Sequence, residues 1–195
     1  MDQKIHILAV TYGHDIELKC FINSILCQTN PNWTMLIVHD GPNEKLEEDL
    51  LRKGYLDDQR ITFICSPKRR KTHGHVLRQT YMKEMPDDGY LLLTNGDNYY
   101  VPTFVDTVLN SIGFDDISLI YWDFKSHQTQ YLTRPCQLLF SKIDMGAAVV
   151  KSSLAKKVGF SSLDYAADWI YFRSVLNSPD FVQSRKIEGM MFIHN

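Results

Sequence analysis

The run LLLTNGDNYY (91–100) ends an apolar segment on Asn95, Gly96 and a single acid, Asp97, followed by two tyrosines. A carboxylate at that place suits a hard divalent cation. Mg²⁺ and Mn²⁺ prefer oxygen ligands and often take few from the protein, the rest coming from water and phosphate. The bland counterpart is an Asx-type turn leading into a helix opened by Pro102. The same grammar recurs upstream. IHILAV (5–10) runs into Thr11, Tyr12 and Gly13, TMLIVH (34–39) into Asp40, Gly41 and Pro42, and ITFIC (61–65) into the cations Lys68, Arg69, Arg70 and Lys71. Later, Asp144 ends SKID, and Asp168 stands between Ala167 and Trp169 in a helical pattern. An acid with aromatic neighbours, such as Trp169 and Phe172, sits in semi-buried surroundings that raise its pKa toward that of a useful general base.

The elements that must hold these residues are legible in the periodicity. Leu18, Phe21, Ile22, Ile25 and Leu26 mark an apolar helical stripe, with Asp15 suited to the helix start. A charged helix follows the second strand to about residue 53, and another is expected from roughly 72 to 85. The strand YLLLT (90–94) comes next, then a helix bearing Phe104, Val105, Val108, Leu109 and Ile112. Continuous apolar strands separated by helices predict a mainly parallel α/β sheet covered by helices on both faces. The second half is less regular, with strands expected near 117–122 and 145–150 and helices near 151–158 and 165–177. At 195 residues, with no repeat or linker, one domain spanning 1–195 is expected.

In such sheets ligands bind beyond the carboxyl ends of the strands, so the strand-end residues belong to one edge and one candidate nucleotide site. The turn TYGHD is not a GxGxxG loop, and no GxxxxGK[ST] occurs. A diphosphate here needs a cation or basic side chains instead of a glycine cradle. Lys plus Arg number 21 against 23 acids, which removes the strong basic field that nucleic-acid binding uses. Four cysteines, at 20, 27, 65 and 136, form no CxxC pair, and reduced thiols in a cytoplasmic protein are expected. MDQKIHILAV is not read as a secretory leader, and no apolar stretch reaches the ~18 residues of a membrane span.

HILAVTYGHDIELKCFINSILCQTNPNWTMLIVHDGPNE resembles the opening of a family 2 glycosyltransferase of GT-A fold: an apolar strand, a T-Y turn, a helix ending S-I-L-x-Q-T, and a strand ending in D-G. The resemblance continues through HGHVLRQTYMKEMPDDGYLLLTNGDNYYVP, where the family carries a DxD-type metal motif, and reaches IDMGAAVVKSSLAKKVGF and DYAADWIYFRSVL on the acceptor side. It implies a Rossmann-like nucleotide-binding half (1–100) and an acceptor half (101–195). By position it assigns Thr11 and Tyr12 to the nucleotide, Tyr12 by stacking on the base, and Asp40 to a uracil-like imide. Arg78 falls to the diphosphate, Asn95 and Asp97 to the DxD site, Asp168 to the catalytic base, and His194 to the metal or phosphate. Two departures stand out: HDG replaces DDG, and N-G-D leaves Asp97 as the sole charged ligand of that motif.

The resulting expectation is an inverting, Mn²⁺- or Mg²⁺-dependent transferase. It would move a sugar from a nucleotide-diphosphate donor, UDP-linked, to a saccharide or lipid-linked hydroxyl. The expected place is the cytoplasm, including the inner face of a membrane contacted peripherally. Two alternatives stay open, a nucleotide-sugar-binding partner without turnover and a sugar nucleotidyltransferase.

Overall fold

The computed structural model describes residues 3–113, 115–164 and 166–195, without the side chain of Thr129. Its first half follows the apolar periodicity closely. β1 (Ile5–Thr11) is buried at all seven positions, as a central strand covered on both faces must be. It pairs in parallel with β2 (Trp33–His39) on one side and β4 (Tyr90–Asn95) on the other, and β3 (Ile61–Cys65) extends the parallel array beyond β2. The crossovers are α1 (Asp15–Leu26), α2 (Glu44–Arg52) and α3 (His75–Tyr81). The Asn43 side chain caps α2 by accepting from the Leu46 amide at 3.2 Å, a contact of about 1 kcal/mol.

α3 begins three residues later than the sequence pattern predicts. Lys71 (φ 56°), His73 (φ 51°) and Gly74 (φ 78°) all occupy the left-handed region, so no right-handed helix can start before His75. The end of the predicted 72–85 helix tightens into a 3-10 turn over Met82–Glu84.

The second half departs from the parallel rule. After the short β5 (Tyr99–Tyr100) and α4 (Phe104–Ile112), β6 (Leu119–Ser126) continues past the predicted 117–122 strand, and β7 (Thr133–Arg134) pairs antiparallel with it. β8 (Ala148–Lys151) sits antiparallel between β4 and β6. α5 (Ser152–Val158) and α6 (Ala167–Leu176) lie close to prediction; Tyr165, where the second was expected to begin, lies outside the described residues. β9 (Ser184–His194) has no counterpart in the sequence reading. Its polar first residues and Gly189 hide the alternation, yet it runs parallel beside β6, with a register irregularity around Asp123, and antiparallel beside β5. The described residues thus form a nine-stranded mixed sheet in the order β3-β2-β1-β4-β8-β6-β9-β5, with β7 at the side of β6.

Candidate active site

The ends of β1, β2 and β4 open onto a cavity of about 560 Å³ that gathers Thr11, Tyr12, Asp40, Asn95 and Asp97. Backbone geometry sets this wall. The Gly96 amide donates to the Val10 carbonyl at 2.9 Å. A Cβ on Gly96 would lie 2.9 Å from Thr11 Cβ and 3.0 Å from Leu18 Cδ1, so only glycine lets the N-G-D turn press against the end of β1. Below the turn, Thr94 Oγ1 accepts from both Asn98 Nδ2 and the Tyr100 hydroxyl at 2.9 Å, which locks the strand end into the core. Of the two tyrosines after Asp97, Tyr100 is fully buried and stacks on Phe192, while Tyr99 is exposed.

Asp97 is the exception in this bonded neighbourhood. Its Oδ1 is buried with no hydrogen-bond partner among the described residues. Burial pushes its pKa up, opposed by its own backbone N–H and by the nearby histidines 14 and 194. A buried, unpartnered carboxylate oxygen is a cost unless a proton or a cation meets it.

Tyr12 is 44% exposed, with the Arg69 guanidinium 3.5 Å from its ring centroid and the His39 ring 5.7 Å away. Arg69 belongs to the basic run 68–71 that follows β3. In the structure this loop is part of the wall. Asp40 Oδ1 accepts from the Arg70 amide at 2.7 Å and Oδ2 from the Lys71 amide at 3.1 Å. Ser66 Oγ accepts from the Gly41 amide at 2.8 Å, and Lys71 and His73 line the cavity. Asp40 is therefore a buried clamp on the loop, with lone pairs left for one further donor.

A second cavity of about 500 Å³ adjoins the first, sharing His73 and Asn95 with it, and holds Arg78, Asp144, Asp168 and His194. Arg78 is only 2% exposed. It donates through Nη1 to the His73 carbonyl at 3.0 Å, and through Nη2 to the Thr94 carbonyl at 3.3 Å and to Asn95 Oδ1. Burial lowers its pKa while Asp168, Asp144 and Asp97 pull the other way, and a guanidinium keeps its charge in such a setting. It is a buried cation whose charge is felt by three carboxylates, and it fixes Asn95, the neutral first residue of the N-G-D turn.

Asp168 lies in the first turn of α6, where the helix dipole favours an acid. Its Oδ2 accepts from the Met145 amide at 3.2 Å, and the adjacent Gly146 amide donates to Asp144 Oδ1 at 2.9 Å. Two successive amides thus hold two carboxylates side by side. Burial, reinforced by Asp144 and countered by Arg78, pushes the Asp168 carboxyl up to about 6. His194 Nδ1 stands 3.3 Å from Asp144 Oδ2, without hydrogen-bond geometry, and its ring stacks on His127.

The donor set for a cation is sparse. Among the described residues no group of three or more His, Cys, Asp or Glu side chains converges. Asp97 lines the first cavity and His194 the second, where it faces Asp144. The unpartnered Asp97 oxygen fits a Mg²⁺ or Mn²⁺ ion that draws most of its ligands from phosphate and water, and does not make a closed protein cage.

The sequence reading did not single out Arg69 within its basic run; of Gln128, Arg134 and Trp169, which line the second cavity, it missed the first two and named Trp169 only as a neighbour of Asp168. The last three come from segments with no strand-end signature, so only Trp169, beside Asp168, carried a sequence cue.

The chain superimposes on the S. aureus TarS 1–349 structure with a TM-score of 0.77 and 14% identity, over 99% of this chain and 60% of that one. The fold is GT-A. The TarS 1–349 complex with UDP-GlcNAc matches with a TM-score of 0.75 and 13% identity over 98% of this chain and 58% of that one. Mannosyltransferase PcManGT from Pyrobaculum calidifontis, in complex with GDP-Man and Mn²⁺, matches with a TM-score of 0.72 and 14% identity over 99% and 57%. In sequence, 89 residues, 45% of the chain, are 33% identical to the bifunctional glycosyltransferase pgtA of Dictyostelium discoideum, covering 11% of it. No family model matches. The GT-A-like chain spans about three-fifths of these three solved structures and about a tenth of pgtA. No helix among the described residues is long and apolar enough to cross a membrane.

Proposed function

We propose that this chain is the catalytic domain of an inverting glycosyltransferase that moves a sugar from a UDP-linked donor to a hydroxyl of a saccharide or lipid-linked acceptor. The first cavity takes the nucleotide and the second takes the acceptor, which meets the enzyme at the inner face of a membrane when it is lipid-linked. The observation that carries this reading is the pairing of Asp97 and Asp168. One is a buried carboxylate with a free oxygen beside the nucleotide wall, the other a carboxylate raised to about 6 in the adjoining cavity. The complexes of similar structures with UDP-GlcNAc, and with GDP-Man and Mn²⁺, support the choice of donor class and cation.

In this mechanism Tyr12 stacks on the base and Asp40 accepts from its imide N–H with a lone pair not used by the loop amides. Asp168, ionised near neutral pH, takes the proton of the acceptor hydroxyl. The acceptor oxygen then attacks the anomeric carbon from the face opposite the diphosphate. The carbon–oxygen bond to the diphosphate breaks as the new one forms, and the configuration inverts, as in single-displacement glycoside hydrolysis. Arg78 holds Asn95 at the junction and tempers the negative potential of the three acids. Asp97 would hold a Mn²⁺ or Mg²⁺ ion, which would supply neutralisation of the charge on the leaving diphosphate, and His194 would approach the phosphates from the side of the second cavity.

Calorimetry with UDP and with GDP, with and without Mn²⁺, tests the donor half. UDP binds in preference to GDP, Mn²⁺ tightens it by about tenfold or more, and Asp97→Asn removes the Mn²⁺ effect. Absence of nucleotide binding by the parent overturns the reading. Metal-independent binding moves the diphosphate to Arg69 and Lys71.

A further inference from the structure

The second cavity has one cation whose charge nothing nearby uses. Arg134, on β7, lies beside Phe124 of β6, with its guanidinium carbon 5.7 Å from that ring, and lines the same cavity as Asp168. No carboxylate among the described residues pairs with it. The other charged groups of this cavity are engaged. Arg78 donates through its two terminal nitrogens to two carbonyls and Asn95, His194 faces Asp144, and Asp144 and Asp168 are held by the Gly146 and Met145 amides. Burial keeps His75 neutral, with its pKa down to about 4.

The surrounding segment has the same sign. Between Asp123 and Asp144 the chain contains no acid, while Lys125, Arg134 and Lys142 are all cationic, and none of the three is ion-paired among the described residues. Asp123 is already occupied by Lys186 at 2.7 Å. An unpaired cation lining the cavity near Asp168 favours an anion on that wall. A guanidinium braced on an aromatic ring also presents a fork suited to phosphate or carboxylate oxygens.

We propose that Arg134 makes the acceptor cavity selective for an acceptor that carries a negative group, a phosphate or a carboxylate, near the hydroxyl to be glycosylated. This rests on the assignment of the second cavity to the acceptor. Arg134 is a binding residue in it.

The test uses glucose 6-phosphate, glucuronate and neutral methyl glucoside, titrated into the full chain with and without saturating UDP and followed by NMR shifts. At low salt the better of the two anions binds about tenfold more tightly than methyl glucoside. Which anion wins distinguishes phosphate from carboxylate. Arg134→Gln brings the preference to within about twofold, Arg134→Lys keeps part of it, and about 0.3 M salt weakens it in the parent. UDP affinity and melting temperature stay at parent values in both variants. Equal binding of charged and neutral sugars, a preference that survives Arg134→Gln, or no binding of either anion overturns the proposal. Failure of UDP to bind while the Arg134-dependent preference persists removes the donor reading and leaves the anion site standing.

Discussion

The two cavities are made differently. The first is framed by backbone at successive ends of parallel strands: Gly96 against Val10 and Thr11, Asp40 against the amides of Arg70 and Lys71, and Ser66 against Gly41. The second is assembled from side chains of α3, the 3-10 turn after Asp144, α6, β7 and the end of β9, balanced around one buried arginine. A wall built from main-chain hydrogen bonds tolerates little change in shape. A wall built from opposed charges tolerates shape change but not a change in charge. Substitutions in the first should act on nucleotide affinity and stability, and those in the second on turnover and its pH dependence.

The sharpest break of this contrast is Asp168→Asn, which keeps the volume and an acceptor for the Met145 amide but removes the base. Turnover falls by about 10²–10⁴-fold with UDP affinity unchanged, read by steady-state kinetics beside calorimetry. In the parent the rate declines as pH falls through about 6, where Asp168 takes up its proton, and the variant's residual rate lacks that limb. The stability sign runs the other way. A carboxyl whose folded pKa is raised favours the fold while protonated. Stability therefore drops as pH rises from the ordinary carboxylate range through about 6, by on the order of 1–3 kcal/mol, and Asp168→Asn flattens that slope in urea unfolding. A large loss of UDP binding in this variant would mean that the two cavities are one unit.

Arg78→Met is next in size. It strands the Asn95 amide oxygen and two backbone carbonyls, and costs about 3 kcal/mol in urea denaturation. It also removes the cation that holds Asp168 down, so the rate limb moves above 6 in any protein that remains folded. A limb that stays in place would show that Arg78 supports the fold without tuning the base.

Gly96→Ala makes the smallest change, one methyl group, and probes the backbone-built wall. Its Cβ forces Thr11 and the N-G-D turn apart and costs about 1–3 kcal/mol of stability. UDP affinity falls with it, because the displaced atoms carry Asn95 and Asp97. Turnover per bound donor stays near the parent value. Parent-like stability would show that the turn is more compliant than its close approach implies.

How far each cavity could be read from the amino-acid order follows from the same contrast. Apolar runs at 5–10, 34–39, 61–65 and 90–94 became β1 to β4 in parallel register, because a buried parallel strand must be apolar at nearly every position. Once those strands are recognised, chain connectivity alone brings Thr11, Tyr12, Asp40, Asn95 and Asp97 to one edge. The second cavity lacked that shortcut. β9 is half exposed and interrupted at Gly189, and β7 is two residues long, so neither Arg134 nor the approach of His194 to Asp144 has a local signature. Sequence by itself determined the GT-A-like parallel half, its strand-end residues and the candidacy of Asp168. Tertiary structure alone decided that Asp40 clamps the basic loop, that Arg78 is buried among three acids, and that Asp97 and His194 face different cavities. The physical reason is range. Periodicity records which side of one element is apolar, whereas charge balance in a cavity is settled between side chains up to a hundred or more positions apart, and no local pattern encodes it.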